Sequence, residues 1–509
     1  MDAQTVPCAC GTRTEPRKVR PALGTSLEVV LPGNYEREGR ERKSMAAPRV
    51  NLAEDSRSVT RTILLIAWPV FVEQILTTLV SYADTAMVGS LGAWATASVS
   101  ISNAPIMLLN GVVMSLGVGI TALVARNVGA GETETVKKLI RHAIMAIIAV
   151  GVPICLLVLA LYRKIPQWMG AAPEILDTAA EYNFYTALGR IFMVTSMMIN
   201  SALRGYGDTK TPLYMNTIMN IVNVILNFLL IYPTRELTVL GVTFTMWGAG
   251  WEVRGAAIAT AVGMAVAGTL CLLVVFLRQN EYRIDLKGSW KPDERLTRQI
   301  FKISLPAMLE RLVMGSSGVL VNSSVATLGT VNVAANSLSG TAESMSFMPA
   351  MAFQTAVTTL VGQSLGAKKP QLAEKYVRRT QVIGTIVMVF AGLGLFVFAR
   401  QLIGFFTPDE EVIAIGAECL HVIAFMQIPQ VLAWNFAGAL RGAGDTKICF
   451  YIAAVTNWGV RTLFSVTAIR VFHQGLVVMQ CIILAEILCR LCLLYWRYRS
   501  GKWKNVLAD

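Results

Sequence analysis

The sequence predicts an all-α polytopic membrane protein, twelve transmembrane helices arranged as two six-helix lobes. Three observations carry that prediction. Of 509 residues, 54% are hydrophobic and 15% charged, and the mean hydropathy of +0.54 lies far from a soluble average. From about residue 61 onward the chain is a succession of apolar runs near twenty residues long, each sufficient for a hydrocarbon core roughly 30 Å thick. The sequence also repeats itself at an offset of 237 residues.

The runs fall at approximately 61–89, 96–125, 142–162, 176–202, 213–232, 255–277, 303–326, 332–362, 380–399, 411–438, 448–469 and 475–496. The net charge of +13 raises nucleic acid as a partner, but its placement speaks against that. Alternate loops hold 24 Lys and Arg against 6 in the loops between them. By the positive-inside rule both termini and the 278–302 connector are cytoplasmic. The basic character is therefore topology in a lipid bilayer, with no nucleic acid implied. Residues 1–55, rich in Arg, Glu, Pro and Gly, read as a disordered cytoplasmic tail, with Met45 as an alternative start. Spans 1–6 occupy 56–277, spans 7–12 occupy 303–497, and a cytoplasmic tail runs over 498–509.

The repeat is clearest in "ALRGYGDTKTP" at 202–212 and "ALRGAGDTKIC" at 439–449. Pro69 also meets Pro306, Glu73 meets Glu310, and the "GA" at 129–130 meets that at 366–367. An even number of spans per unit makes the halves parallel repeats about an axis along the membrane normal, with a cleft between them suited to alternating access. A receptor or scaffold would not need the intramembrane charges described next. Locally the doubled loop reads as a helix connection. Gly205 is expected to take the left-handed conformation that ends span 4, Arg204 to face the helix C-terminus and lipid headgroups, and Thr211 with Pro212 to start span 5. In the second copy Asp445 or Thr446 takes over the cap.

Carboxylates at membrane depth are costly and mark cavities or partners. Span 1 carries Glu73 and Asp84, about three turns apart on nearly one face. Glu73 recurs as Glu310, whereas Asp84 is matched by Val321, so the lobes are chemically unequal. Span 5 places Asn216, Asn220, Asn223 and Asn227 on one face. That stripe either bonds to neighbouring helices or joins Asp84 in a pocket for a coupling cation. Span 8 buries Glu343 and bends at Pro349; Arg461 in span 11 offers an ion pair to it. The three histidines form no metal constellation, and the absence of a Walker loop makes an ion gradient the energy source. The 22 methionines suit either ordinary packing or an adaptable cavity.

Together, "WPVFVEQILTTLVSYADTAMVGSLG", "ALVARNVGAGE" with "TLVGQSLGAKK", the doubled "ALRGxGDTK" and "GAAIAT" at 255–260 make the chain resemble a multidrug and toxic compound extrusion (MATE) transporter over about 60–497. The resemblance implies a V-shaped pair of lobes that exports organic, often cationic, compounds in exchange for protons or sodium, with no bound cofactor. It assigns cation coupling to Asp84, the polar pair of span 5 to Asn223 and Asn227, and the Thr of "GAAIAT" to Thr260. Some members carry Asp at the position of Asn227 and others an acid where this chain has Gln430. Glu73, Glu310, Glu343, Gln430 and Arg461 are then candidates for the substrate cleft or a C-lobe polar site. The partners expected are a small organic substrate and the bilayer, for a monomer that is not an enzyme. A lipid-linked sugar or polysaccharide flippase of the same superfamily is the alternative.

Overall fold

The computed structural model describes residues 56–239, 242–278, 283–284 and 290–507. The expected N-terminal tail and the Met45 start lie outside the described residues, as do parts of the 278–302 connector. Twelve membrane-spanning helical stretches follow in order: α1 (Ser56–Gly89), α2 (Ala93–Ala130), α3 (Thr133–Leu161), α4 (Pro173–Tyr206), α5 (Lys210–Leu230), α6 (Glu252–Leu277), α7 (Glu294–Val325), α8 (Thr330–Ser346 and Met348–Gly366), α9 (Pro370–Val397), α10 (Glu410–Gly442), α11 (Thr446–Ala454, Val455–Thr462 and Leu463–Arg470) and α12 (Leu476–Arg499). Eight are long and apolar enough to cross a membrane on that ground alone. The other four are α4, α7, α8 and α11; of these α8 is interrupted at Phe347 and α11 is π-helical over Val455–Thr462.

Several boundaries differ from expectation for physical reasons. Helix α7 begins at Glu294, nine residues before the apolar run, since Asp293 caps it: its Oδ1 accepts from the backbone N–H of Arg295 and Leu296. The bend expected at Pro349 is a break at Phe347, which leaves Pro349 in the first turn of the second half of α8, where its missing N–H costs nothing. Residues 455–462 of α11 form a π-helical segment that contains Arg461. The C-terminal tail is docked: Trp503 is fully buried and stacks on Tyr498 at 5.3 Å.

The loop expected between spans 5 and 6 is a β-hairpin, β1 (Pro233–Val239) paired antiparallel with β2 (Val242–Ala249). The Arg235 guanidinium stacks over Tyr232 at 3.9 Å and Phe228 at 4.5 Å, tying the hairpin to the end of α5.

The lobes meet at the end of the bundle that bears the termini. The first half of α1, from Val59 to Val70, packs on Ala352, Ala356 and Leu360 of α8. The corresponding Leu296, Ile300 and Ile303 of α7 pack with Val113 and Ile120 of α2. Between them α2 and α8 touch backbone to backbone. A Cβ on Gly129 would lie 1.9 Å from the Gln363 carbonyl oxygen, and one on Gly366 would lie 1.8 Å from that of Arg126. Only glycine permits this approach. The hydrogen bonds between the lobes gather at this same end, as from Thr359 to the Arg204 carbonyl and from Gln363 to the Gly205 carbonyl, and the molecule is a V open at the hairpin end.

Candidate functional site

The doubled loop builds the frame of each lobe. Gly205 is inside α4, and the left-handed residue is Gly207 (φ +96°), matched by Gly444 (φ +86°). Gly205 instead lets α4 approach α2: a Cβ there would lie 2.7 Å from the Thr121 carbonyl, as one on Gly442 would lie 2.3 Å from that of Thr358. Arg204 turns inward, away from headgroups, and binds Glu73 at 2.6 Å; Arg441 binds Glu310 at 2.6 Å. Burial of both carboxylates explains this, since an unpaired charge there would cost far more than the exposed arginine gains. Asp208 holds Arg278, past the end of α6, at 2.6 Å, and Asp445 holds Arg497 of α12 at 2.7 Å. Asp208 also caps α5, accepting from the Thr211 N–H at 3.0 Å and the Thr211 hydroxyl at 2.7 Å. The cap expected at Thr211 and Pro212 thus lies three residues earlier. In the second copy Asp445 stands at the cap position without a side-chain bond to the helix N-terminus, and the Thr446 hydroxyl donates to the Ile303 carbonyl at 2.8 Å.

The structure brings Asp84, Asn223, Asn227 and Thr260 together. Asn227 Nδ2 donates to Asp84 Oδ1 at 2.6 Å. The Asn223 amide nitrogen faces the same carboxylate, 2.9 Å from Oδ1 and 3.1 Å from Oδ2, with its carbonyl oxygen toward the Thr260 hydroxyl 3.4 Å away. The arrangement depends on a lean α6. Gly255 would meet the Leu230 carbonyl at 2.5 Å if it bore a Cβ, and Gly263 would meet Asn223 Cβ at 3.3 Å. Small residues therefore set α6 against α5 closely enough for Thr260 to reach Asn223. Asn223 and Asn227 are buried, and Asn227 Oδ1 has no partner. One carboxylate, two amides and a hydroxyl form a compact set of oxygens and orienting donors, chemically fit to hold a proton or a small hard cation.

Glu73 and Asn216 belong elsewhere. The Glu73 Oε1 accepts from Arg204 and, at 2.6 Å, from Asn216, on the wall of a cavity of about 370 Å³ between the lobes. Met114, Met193, Met197, Met219, Met264 and Met351 line this cavity, so a share of the methionines does face open space. Glu343, Gln430 and Arg461 meet at a second cavity, of about 420 Å³, inside the C-lobe. The expected Glu343–Arg461 ion pair is not formed among the described residues. The neighbouring pair there is Arg490 with Glu486 at 2.5 Å, which sequence reasoning missed although their spacing of four residues on α12 signals it. Among the described residues no cluster of His, Cys, Asp or Glu could hold a metal ion.

Two parallel six-helix lobes around a one-ended cleft, with a caged carboxylate in one lobe, define a membrane transporter of the duplicated class. The MatE family model matches residues 69–229 and again 306–467, and the chain belongs to this family. It is similar to the probable multidrug resistance protein NorM of Thermotoga maritima, 27% identical over 453 residues that cover 89% of this chain and 95% of that protein. Its fold resembles that of a MOP superfamily transporter from Pyrococcus furiosus (TM-score 0.80, 21% identity, 90% and 99% of the two chains). An outward-facing multidrug resistance MATE family transporter superposes equally well (TM-score 0.80, 21% identity, 90% and 99%).

Proposed function

We propose that the protein is a secondary active efflux transporter that exports organic compounds in exchange for protons or sodium. Asp84, Asn223, Asn227 and Thr260 bind the coupling cation. Both termini are cytoplasmic in the cell membrane, the monomer is the working unit, and the V described above is the outward-open state. One observation carries the reading: Asp84 is a carboxylate at membrane depth whose contacts are amides and not a compensating base, while the other lobe has Val321 in its place. The similarity to a probable multidrug resistance protein supports export of organic compounds.

The test is efflux of norfloxacin or ethidium from proteoliposomes under an imposed proton gradient and then an imposed sodium gradient. Asp84→Asn is expected to abolish gradient-driven efflux while the protein elutes as a folded species. Wild-type rates in that variant under both gradients would overturn the assignment.

A further inference from the structure

The lobes differ a second time, in charge, where they face the cleft. Glu73 is neutralised by Arg204 and Glu310 by Arg441. Arg311, beside Glu310 on α7, is left over: among the described residues it forms no ion pair, and the matching position 237 residues earlier is the neutral Gln74. Arg311 is exposed and lines the inter-lobe cavity, shared with the smaller space that opens toward Trp434. It faces α2 of the opposite lobe, where a Cβ on Gly111 would lie 4.0 Å from its own Cβ. The further guanidinium at the edge of that space, Arg490, is held by Glu486. Two carboxylates and three guanidiniums around the cleft therefore sum to one uncompensated positive charge, carried by Arg311. Low-dielectric walls focus such a charge onto whatever enters, and a guanidinium matches the planar fork of a carboxylate. The apolar part of the remaining lining is mostly methionine, a soft surface for an apolar body, set among hydroxyl and amide side chains.

We propose that the cleft selects amphipathic organic anions, a carboxylate carried on an apolar or aromatic body, with Arg311 gripping the carboxylate and the methionines the body. The proposal rests on the export reading and narrows its substrate class, away from the simple organic cations expected from the sequence. Zwitterions qualify through their carboxylate.

The test is equilibrium binding by fluorescence polarisation to the full chain in phosphatidylcholine nanodiscs, without any gradient. Dansylglycine, dansylglycinamide and dansylcadaverine share one aromatic body and differ in charge. Wild type should bind dansylglycine at least about tenfold tighter than the amide, the effect of one charge-assisted contact. Arg311→Gln, which installs the residue of the matching position, should erase that preference while amide binding stays within about twofold, showing that the variant is folded; Arg311→Lys should keep a reduced preference. An unchanged preference in Arg311→Gln, a wild type that favours dansylcadaverine, or a wild type that binds none of the three would overturn the proposal. Asp84→Asn should retain the dansylglycine preference. Export by Asp84→Asn at the wild-type rate under both gradients, with that preference intact, would strike the coupling assignment and leave this one standing.

Discussion

Asp84 is held by groups that orient it without neutralising it, and the orienting chain ends at Thr260. The Asp84 carboxylate, an acceptor only, sets which way the buried Asn223 amide points, and the Thr260 hydroxyl holds the far end of that amide. Thr260→Val removes that constraint at nearly constant volume. Loss of one such bond is worth about 0.5–1.5 kcal/mol, so the apparent affinity for the coupling cation should fall by about 2–10-fold. The measurement is the dependence of efflux rate on cation concentration. Maximal rates should survive, in contrast to Asp84→Asn. At this scale the sequence was informative about charge and poor in distance. Asp84 was legible because a carboxylate in an apolar run has to be explained, and because its twin is missing. The partners of Glu73 were not legible, since Arg204 lies 131 residues away and looked like an ordinary helix-end arginine. Composition says that a buried acid needs a base; it does not say which one.

The doubled loop is the element whose meaning the structure changed most. In each copy the arginine reaches back to the first helix of the lobe, the next glycine presses on the second, the second glycine makes the turn, and the aspartate holds an arginine at or just past the end of the sixth. These contacts bind four elements at a single corner. Asp445 shows how little such a pair needs to contribute to net stability. Burial raises its carboxyl above the ordinary value despite Arg497 beside it. A raised native pKa means that the folded chain holds the proton more tightly than the unfolded one, so ionisation costs stability as pH rises above about 4 and costs none below. Breaking the pair is nonetheless expensive. Asp445→Ala strands the largely buried Arg497 and should lower stability by about 3–5 kcal/mol, read from unfolding in detergent. The double replacement Asp445→Leu with Arg497→Leu should recover most of that loss. The hairpin, by contrast, was missed at this scale. The alternation in "TRELTV" and "VTFTMW" is a strand signal of period two, but it is short and lies between two far stronger apolar runs.

Over the whole molecule the fold was the most legible part, because a repeat of 237 residues with a basic-loop bias fixes the number, order and relative direction of the helices at once. Which end of the V is closed was beyond reach of the sequence: closure depends on Gly129 and Gly366 meeting carbonyls across the pseudo-twofold axis, and each glycine alone looks like any other small residue in a membrane helix. Gly129→Val or Gly366→Val should make that approach impossible and shift the population toward the state open at the terminal end. Spin labels at Glu134 and Gln371, which flank the contact on the two lobes, should report a longer separation in either variant than in wild type. Efflux should fall with it, since a transporter that cannot seal one end leaks its cycle.

The corner tied by the doubled loop is alike in both halves, and everything it ties is what a solitary six-helix unit would already require. Two such units associated as equals would carry every feature twice. Joined in one chain, they differ: one half has an acid where its sister has valine, the other a base where its sister has glutamine. On the assignments proposed above, ion and cargo are read by different heirs of the same ancestor. Neither can sense the other except through the movement they inherit in common.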